Sequence, residues 1–350
     1  MSPRVFVGWL IAAVIAVSLA VVAVAGAPAL TTAVVDRDPV FPELRARPEA
    51  VVRIVVSSRM GDFTVARGDD GRWTASDKYD YPVDQDEVRK LIVGLSDMRY
   101  VEAKTRREDR LDRLDLGDPK AEGSDARLVR LEDAAGQVLA EIIIGKERRR
   151  YTGGRDAGTY IRHSGETQAW LASGGLFVKR RLDDWLDKSL VNIANDSIRR
   201  VDIRPASGTA YIATRAVKGA DFTLDPMPEG RALKADTVKR LGAGLSFVEM
   251  KDVRRRGEIA LPEKHTVAVL TTFDGIEVRI DVAKMDKTYW ATFDARYVGD
   301  ATDQSDAAKA ARAQAKTLAA RLDGWVYEVA QYIHDRLAVP YNDLFAPEAS

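Results

Sequence analysis

Arg53-Ile54-Val55-Val56, Phe63-Thr64-Val65-Ala66-Arg67 and Arg72-Trp73-Thr74 are short runs in which apolar and polar residues alternate, with Asp70-Gly71 between the last two. Alternation at period two marks strands buried on one face, and Asp-Gly is hairpin punctuation. Tyr81-Pro82-Val83-Asp84 and a helical stretch over residues 87–95 follow, leading into Tyr100-Val101-Glu102. The same order returns later: Arg200-Val201-Asp202-Ile203, Ala210-Tyr211-Ile212-Ala213-Thr214, Asp221-Phe222-Thr223-Leu224, Leu233-Lys234-Ala235-Asp236, a helical stretch over 237–245, then Phe247-Val248-Glu249. A recurrence of this kind is the signature of an internal repeat.

The correspondence continues downstream. Residues 126–131 and 137–144 read as a hairpin around Ala135-Gly136, and residues 266–270 and 276–282 as its partner, turning at Asp274-Gly275. Thr159-Tyr160-Ile161-Arg162 is matched with Thr288-Tyr289-Trp290-Ala291. Each copy reads as three strands, a helix, three strands and a closing helix. The closing helices are placed at 176–190, with Trp185, and at 324–337, with Trp325 and Tyr332. Trp185, Leu186, Trp325 and Tyr332 are read as core in preference to partner contacts. The second copy carries an Ala/Lys/Arg-rich helical insertion at about 300–322, whose start reads as a loop with a helix cap. The expected fold class is α+β: an N-terminal transmembrane helix followed by two divergent copies of a mixed, mainly antiparallel sheet-and-helix unit, at 51–192 and 193–350.

Ahead of the repeat, no charge occurs between Arg4 and Asp36, and residues 5–24 are almost wholly Val, Ala, Ile and Leu, with Trp9 near the start. At ~1.5 Å per helical residue, ~20 such residues cross the ~30 Å hydrocarbon layer, more than the ~7–15 of a secretory signal. Small-residue patterns at Ala23-Val24-Ala25, Ala25-Gly26-Ala27 and Ala27-Pro28-Ala29 keep a cleaved signal open. Residues 1–30 are therefore read as an anchor or signal, with the bilayer contacted through 5–25. Residues 31–50, with Pro39, Pro42 and Pro48, are read as an extended stand-off linker. Arg37, Arg45 and Arg47 follow the span, but Asp36, Asp38, Glu43 and Glu49 offset them, and long trailing domains translocate largely regardless of charge. The expected location is the inner membrane, single-pass, with the C-terminal body in the periplasm.

Chemistry is harder to find. In 350 residues, 53 basic side chains balance 53 acidic ones, and cysteine is absent. That removes disulfides, thiolate catalysis, cysteine-ligated zinc and a lipobox anchor. Without a continuous basic face, nucleic acid is not an expected partner. His163, His265 and His334 have no second ligand at metal spacing. No Gly-x-Ser-x-Gly elbow occurs. Asp300, Asp303 and Asp306 miss the calcium-loop pattern and read as a cap and charged loop. Asp183, Asp184 and Asp187, among Lys179, Arg180, Arg181 and Lys188, read as a solvated helix face. Tyr151-Thr152-Gly153-Gly154-Arg155 lacks the lysine of a phosphate loop and reads as a hairpin turn. The basic clusters at 146–150 and 254–256 read as exposed turns, with lipid headgroups or an acidic partner as the other reading. No catalytic, cofactor-binding or metal residue is assigned, and no cofactor is expected.

Gly71-Arg72-Trp73, Tyr81-Pro82-Val83-Asp84, Leu116-Gly117-Asp118-Pro119, Ile142-Ile143-Ile144-Gly145 and Thr159-Tyr160-Ile161-Arg162, in that order, resemble the bacterial family catalogued as domain of unknown function 4340. The resemblance is clearest over residues 51–191, and it departs from the family's Gly-Leu before the proline, here Leu116-Gly117. It implies an N-terminal membrane segment, a repeated α/β body and a place beside ABC-type transport proteins of the gliding-motility kind. It implies no catalytic residue. The expected function is a membrane-anchored extracytoplasmic accessory or binding subunit of an ABC-type transport or envelope complex, its partners an inner-membrane permease complex. The alternatives are an extracytoplasmic hydrolase on envelope polymers and a cleaved, soluble periplasmic binding protein.

Overall fold

Pro42 and Pro48 open short helices instead of holding an extended linker. In the computed structural model, which describes residues 38–148 and 157–347, α1 (Pro42–Ala46) and a 3-10 turn (Pro48–Ala50) each carry proline in the first turn. There the missing N–H has no intrahelical role to lose. Val40, Phe41 and Leu44 are buried, Leu44 fully at 0% exposure. The Val40 amide donates to the Met98 carbonyl at 2.9 Å. Residues 38–50 thus belong to the first body, which corrects the linker reading: the three apolar side chains outweigh the extended bias of the prolines. The apolar segment 5–24 and the turn at 151–155 lie outside the described residues, and among those described no helix is long and apolar enough to cross a membrane.

The alternating runs become paired strands. β1 (Arg53–Ser58) and β2 (Gly61–Arg67) set Ile54 opposite Val65 and Val56 opposite Phe63, all four buried. After β3 (Trp73–Ala75) and β4 (Tyr81–Pro82), α2 (Gln85–Ser96) is capped by the Asp84 carboxylate, which accepts from the Asp86 and Glu87 amides. β5 (Tyr100–Ala103), β6 (Arg127–Glu132), β7 (Val138–Arg148), β8 (Gly158–Arg162) and β9 (Ala169–Ser173) complete an antiparallel sheet of order β4-β3-β2-β1-β6-β7-β8-β9-β5.

The second body comprises β10 (Ser189–Val191), β11 (Ile198–Arg204), β12 (Tyr211–Thr214), β13 (Thr223–Asp225), α3 (Ala235–Lys239), β14 (Val248–Arg255), β15 (Thr266–Thr272), β16 (Ile276–Met285), β17 (Thr288–Tyr297), α4 (Asp306–Leu322), β18 (Trp325–Val329) and α5 (Gln331–Leu337). Its sheet order is β10-β14-β18-β17-β16-β15-β11-β12-β13. Eight strands of each sheet therefore follow one path: β3-β2-β1-β6-β7-β8-β9-β5 in the first, β13-β12-β11-β15-β16-β17-β18-β14 in the second. Gly136 and Gly275 occupy equivalent hairpin turns at φ +77° and +83°, a backbone region that side chains other than glycine rarely adopt.

Four details differ from the sequence reading. The segment 176–190 is not a helix; it holds one 3-10 turn, Leu182–Asp184, and then runs extended. Its backbone is used by other elements: the Asp84 amide donates to the Trp185 carbonyl at 2.8 Å, and Val83 bridges Leu186. The segment 324–337 divides into β18 and α5, because Trp325-Val326-Tyr327 and Val329 are strand formers with partners waiting in β14 and β17. Ile144 pairs with Ile161, and the equivalent Val282 pairs with Ala291. Ile161 thus corresponds to Ala291, one residue from the sequence match, a slip that would turn each side chain to the opposite face. Trp185, Leu186 and Trp325 are core; Tyr332 is not, at 47% exposure.

The boundary between copies also moves. β10 pairs with β14, so residues 189–191 belong to the second body rather than to the first copy's 51–192. Each body opens with a lead-in beside its edge strand, Pro39 next to Arg99 at β5 and β10 at β14. The bodies share one apolar core. At their junction the Tyr81 ring meets Trp325 at 5.0 Å, Lys78 Nζ lies 2.7 Å from Asp252, and the Tyr79 hydroxyl donates to Glu258 at 2.8 Å. Burial pushes the Tyr81 and Tyr327 hydroxyls well above the usual phenol range.

Leu44→Ala should cost about 2–5 kcal/mol, as cavity-forming truncations of buried leucine do. A linker residue would stay within about 0.5 kcal/mol. Urea unfolding of the two chains distinguishes these outcomes.

Candidate functional site

The outer faces of the two sheets, away from the shared core, differ between the copies. In the first, Leu128 and Ile143 lie opposite each other and are covered by residues 104–126, whose Leu111 and Leu116 join Ala126, Ile143 and Ala169 in a small second core. In the second, the equivalent pair is Val267 and Asp281, and only residues 256–265 link the flanking strands. A carboxylate at the position of an isoleucine cannot be roofed by leucines without losing its hydration. The second outer face is left open.

Strand register arranges that face in rows. Arg200, Thr271, Glu277 and Arg296 form one; Asp202, Val269, Arg279 and Asp294 the next; Arg204, Val267, Asp281 and Thr292 the third. A depression of about 490 Å³ lies over this face, floored by half-buried Val267 and Val269 of β15 and lined by the long side chains of β11, β16 and β17, Asp294 and Arg296 among them. Neighbouring charges pair within the face. Arg200 lies 3.2 Å from Asp202, Arg279 2.7 Å from Asp281, Arg296 2.6 Å from Glu277 and Arg256 3.1 Å from Asp294. Burial by itself would raise the Asp281 carboxyl. Hydrogen bonds from Arg279 and His265 outweigh it and hold the group below the usual carboxylate range. Arg279, bonded to Asp281, is correspondingly raised.

The residues weighed in the sequence are not brought together. His163 Nε2 is 2.6 Å from the Tyr100 hydroxyl, in the first body. His265 spans the Pro262 carbonyl at 2.8 Å and Asp281 at 3.2 Å. His334 sits 3.1 Å from Asp335 and against the Tyr289 ring. Asp300 accepts from the Thr302 amide and Asp303 from the Ser305 amide, both at 2.8 Å, and Ser305 caps α4. Asp183 and Asp184 lie in a 3-10 turn rather than on a helix, and Asp187 is pushed up by burial. Lys146 donates to the Arg113 carbonyl at 3.0 Å, while residues 149 and 150 lie outside the described residues. The 254–256 cluster is not a free basic patch: Arg254 pairs with Asp252, Arg255 lies over the Trp325 ring at 4.0 Å, and Arg256 holds Asp294. Among the described residues no group of three His, Asp or Glu is placed to hold a metal.

The family model described as Domain of unknown function (DUF4340) matches residues 73–267, more than half of the chain. The chain belongs to the DUF4340 family. No curated protein and no solved structure matches it. In this DUF4340 chain the matched stretch runs from β3 of the first body to the start of β15 in the second, so it contains the β11 wall of the depression, while the β16 wall lies beyond it.

The open face was not singled out from the sequence, although a signal was present. Arg200, Asp202 and Arg204 alternate in sign at every second residue, and Glu277, Arg279 and Asp281 do so in mirror image. Only strand register shows that the two runs face each other across β15.

Asp281→Asn should lower stability by about 1 kcal/mol at neutral pH, as for a charge-assisted bond at a partly exposed site. Because the folded carboxyl is depressed, the wild-type advantage is present above about pH 4 and vanishes as pH falls through its lowered value. Thermal unfolding of both chains between pH 7 and pH 3 reads this directly.

Proposed function

We propose that this DUF4340 chain is a membrane-anchored, extracytoplasmic accessory subunit of an inner-membrane transport or envelope complex, acting by protein contact rather than covalent chemistry. The observation that carries the reading is the open face of the second sheet. A duplicated body that roofs one outer face and leaves its counterpart open and charged in both signs has the character of a protein-docking surface. Support comes also from the apolar stretch at residues 5–24 and from the use of the candidate histidines and carboxylates in local structural bonds. The rigid junction around Tyr81 and Trp325 gives the face a firm backing. The ABC-type permease as partner rests on the family resemblance alone.

Affinity purification from membranes after mild crosslinking tests the proposal. The expected result is a chain that stays with the membrane through washing, retains Arg4 at its N-terminus, and brings an integral transport protein with it. Recovery as a washed-off monomer without a membrane partner would overturn the reading, and a mature start near Leu30 would replace the anchor with a released form.

A further inference from the structure

We infer that the hollow of about 300 Å³ beside Arg215 in the second body is a binding site for a carboxylate, carried by a small acid or by the C-terminus of a peptide. Its lining includes Asn195, Asp196, Arg215, Ala220, Phe222 and Lys239, and shares no residue with the depression on the open face. The inference goes beyond the docking role proposed above and does not rest on it.

Arg215 directly follows β12 and is only 6% exposed, although a guanidinium keeps its charge inside a protein. Its Nη2 donates to the Asn195 carbonyl at 3.1 Å and to Asn195 Oδ1 at 2.9 Å, and the guanidinium lies 3.8 Å from the centre of the Phe222 ring. Both supports are neutral. Asp196 and Asp221 act on it only through space; burial outweighs them and holds Arg215 below its usual value. Among the described residues no carboxylate is paired with it. A buried cation with no counter-charge is costly, and a carboxylate bound in the hollow supplies one.

The two copies show what that position requires. Strand register carries Val65 onto Ala213 and so Arg67 onto Arg215, and the run Leu91-Ile92-Val93-Gly94-Leu95 matches Leu241-Gly242-Ala243-Gly244-Leu245. Glu49, Arg67, Trp73 and Arg89 line the equivalent hollow of the first body, in the places of Asp196, Arg215, Phe222 and Lys239. Duplication has thus kept an acid, a strand-end arginine, an aromatic ring and a helix base together. The arginine is buried in one copy alone. A Cβ at Gly242 would lie 2.6 Å from Arg215 Nη2 and collide with Asn195 Oδ1. Ile92 stands at that place in the first body, and Arg67 is exposed there.

Charge selects the ligand further. Two cations, Arg215 and Lys239, and one acid, Asp196, line the hollow, so a monoanion matches their excess. A dianionic phosphate would bring its second charge against Asp196. A volume of about 300 Å³ is at the lower end of small-molecule pockets and suits one small acid or one terminal residue.

The test is isothermal titration calorimetry of the full chain with N-acetyl-L-alanine, its amide, inorganic phosphate, and a short peptide with a free or an amidated C-terminus. The expected result is saturable binding of a free carboxylate, at least tenfold tighter than of its amide or of phosphate. Comparable affinity for the small acid and the free peptide assigns the site to small acids; a peptide at least tenfold tighter assigns it to chain termini. Arg215→Gln, and Gly242→Ile, which imports the first copy's residue, should each lower affinity at least tenfold. Lys239→Ala, at an exposed position, should lower it severalfold with the melting temperature unchanged, and it locates the site even if the two deeper substitutions unfold the chain. No saturable binding of either carboxylate, equal binding of the amides, preference for phosphate, or unchanged affinity in Lys239→Ala would overturn the inference. A lowered melting temperature in Arg215→Gln without carboxylate binding by the wild type would make Arg215 a structural staple and overturn it likewise.

Discussion

Residues 182–191 serve both bodies at once. On one side the chain runs beside β4: the Asp84 amide reaches the Trp185 carbonyl at 2.8 Å, the Asp187 amide reaches the Pro82 carbonyl at 3.0 Å, and the Tyr81 hydroxyl reaches the Asp187 carbonyl at 3.2 Å. A few residues later the same chain is β10, paired to β14 of the second sheet. A flexible connector would leave two beads free to reorient. This one has its backbone hydrogen bonds committed at both ends, and Tyr81 is pressed against Trp325 and Tyr327 as a consequence. The backing of the open face depends on that strap.

Duplication gave each copy a core face and an outer face, and the outer faces diverged at a few positions. Ile143 in the first copy corresponds to Asp281 in the second, and Leu128 to Val267. The apolar pair recruits a cover; the mixed pair does not tolerate one, since an ionised carboxylate under leucine is too costly. The difference between a roofed sheet and an open one is thus carried by side chains at matched register positions, while the backbone path is the same in both.

Much of this was legible in advance. Runs such as Arg53-Ile54-Val55-Val56 and Arg200-Val201-Asp202-Ile203 became β1 and β11 with the alternation they advertised, and the Asp-Gly turn at 274–275 became a hairpin. The misreadings share a cause. Residues 38–50, 176–190 and 324–330 take their conformation from distant partners: Met98 for Val40, β4 for Trp185, β14 and β17 for β18. Local propensity does not report on such partners, and a spacing of prolines or aromatics is open to more than one tertiary use. The open face was hidden for the same reason, its two walls being far apart in the chain.

The sequence by itself determined the repeat, the antiparallel α+β character and the balance of charge, because period-two alternation, turn residues and composition are local properties. Tertiary structure decided which edge each lead-in strand joins, where the first copy ends and which outer face remains uncovered. Those outcomes depend on backbone groups finding partners across long separations and on the cost of burying Asp281, and neither is expressed until the sheets close.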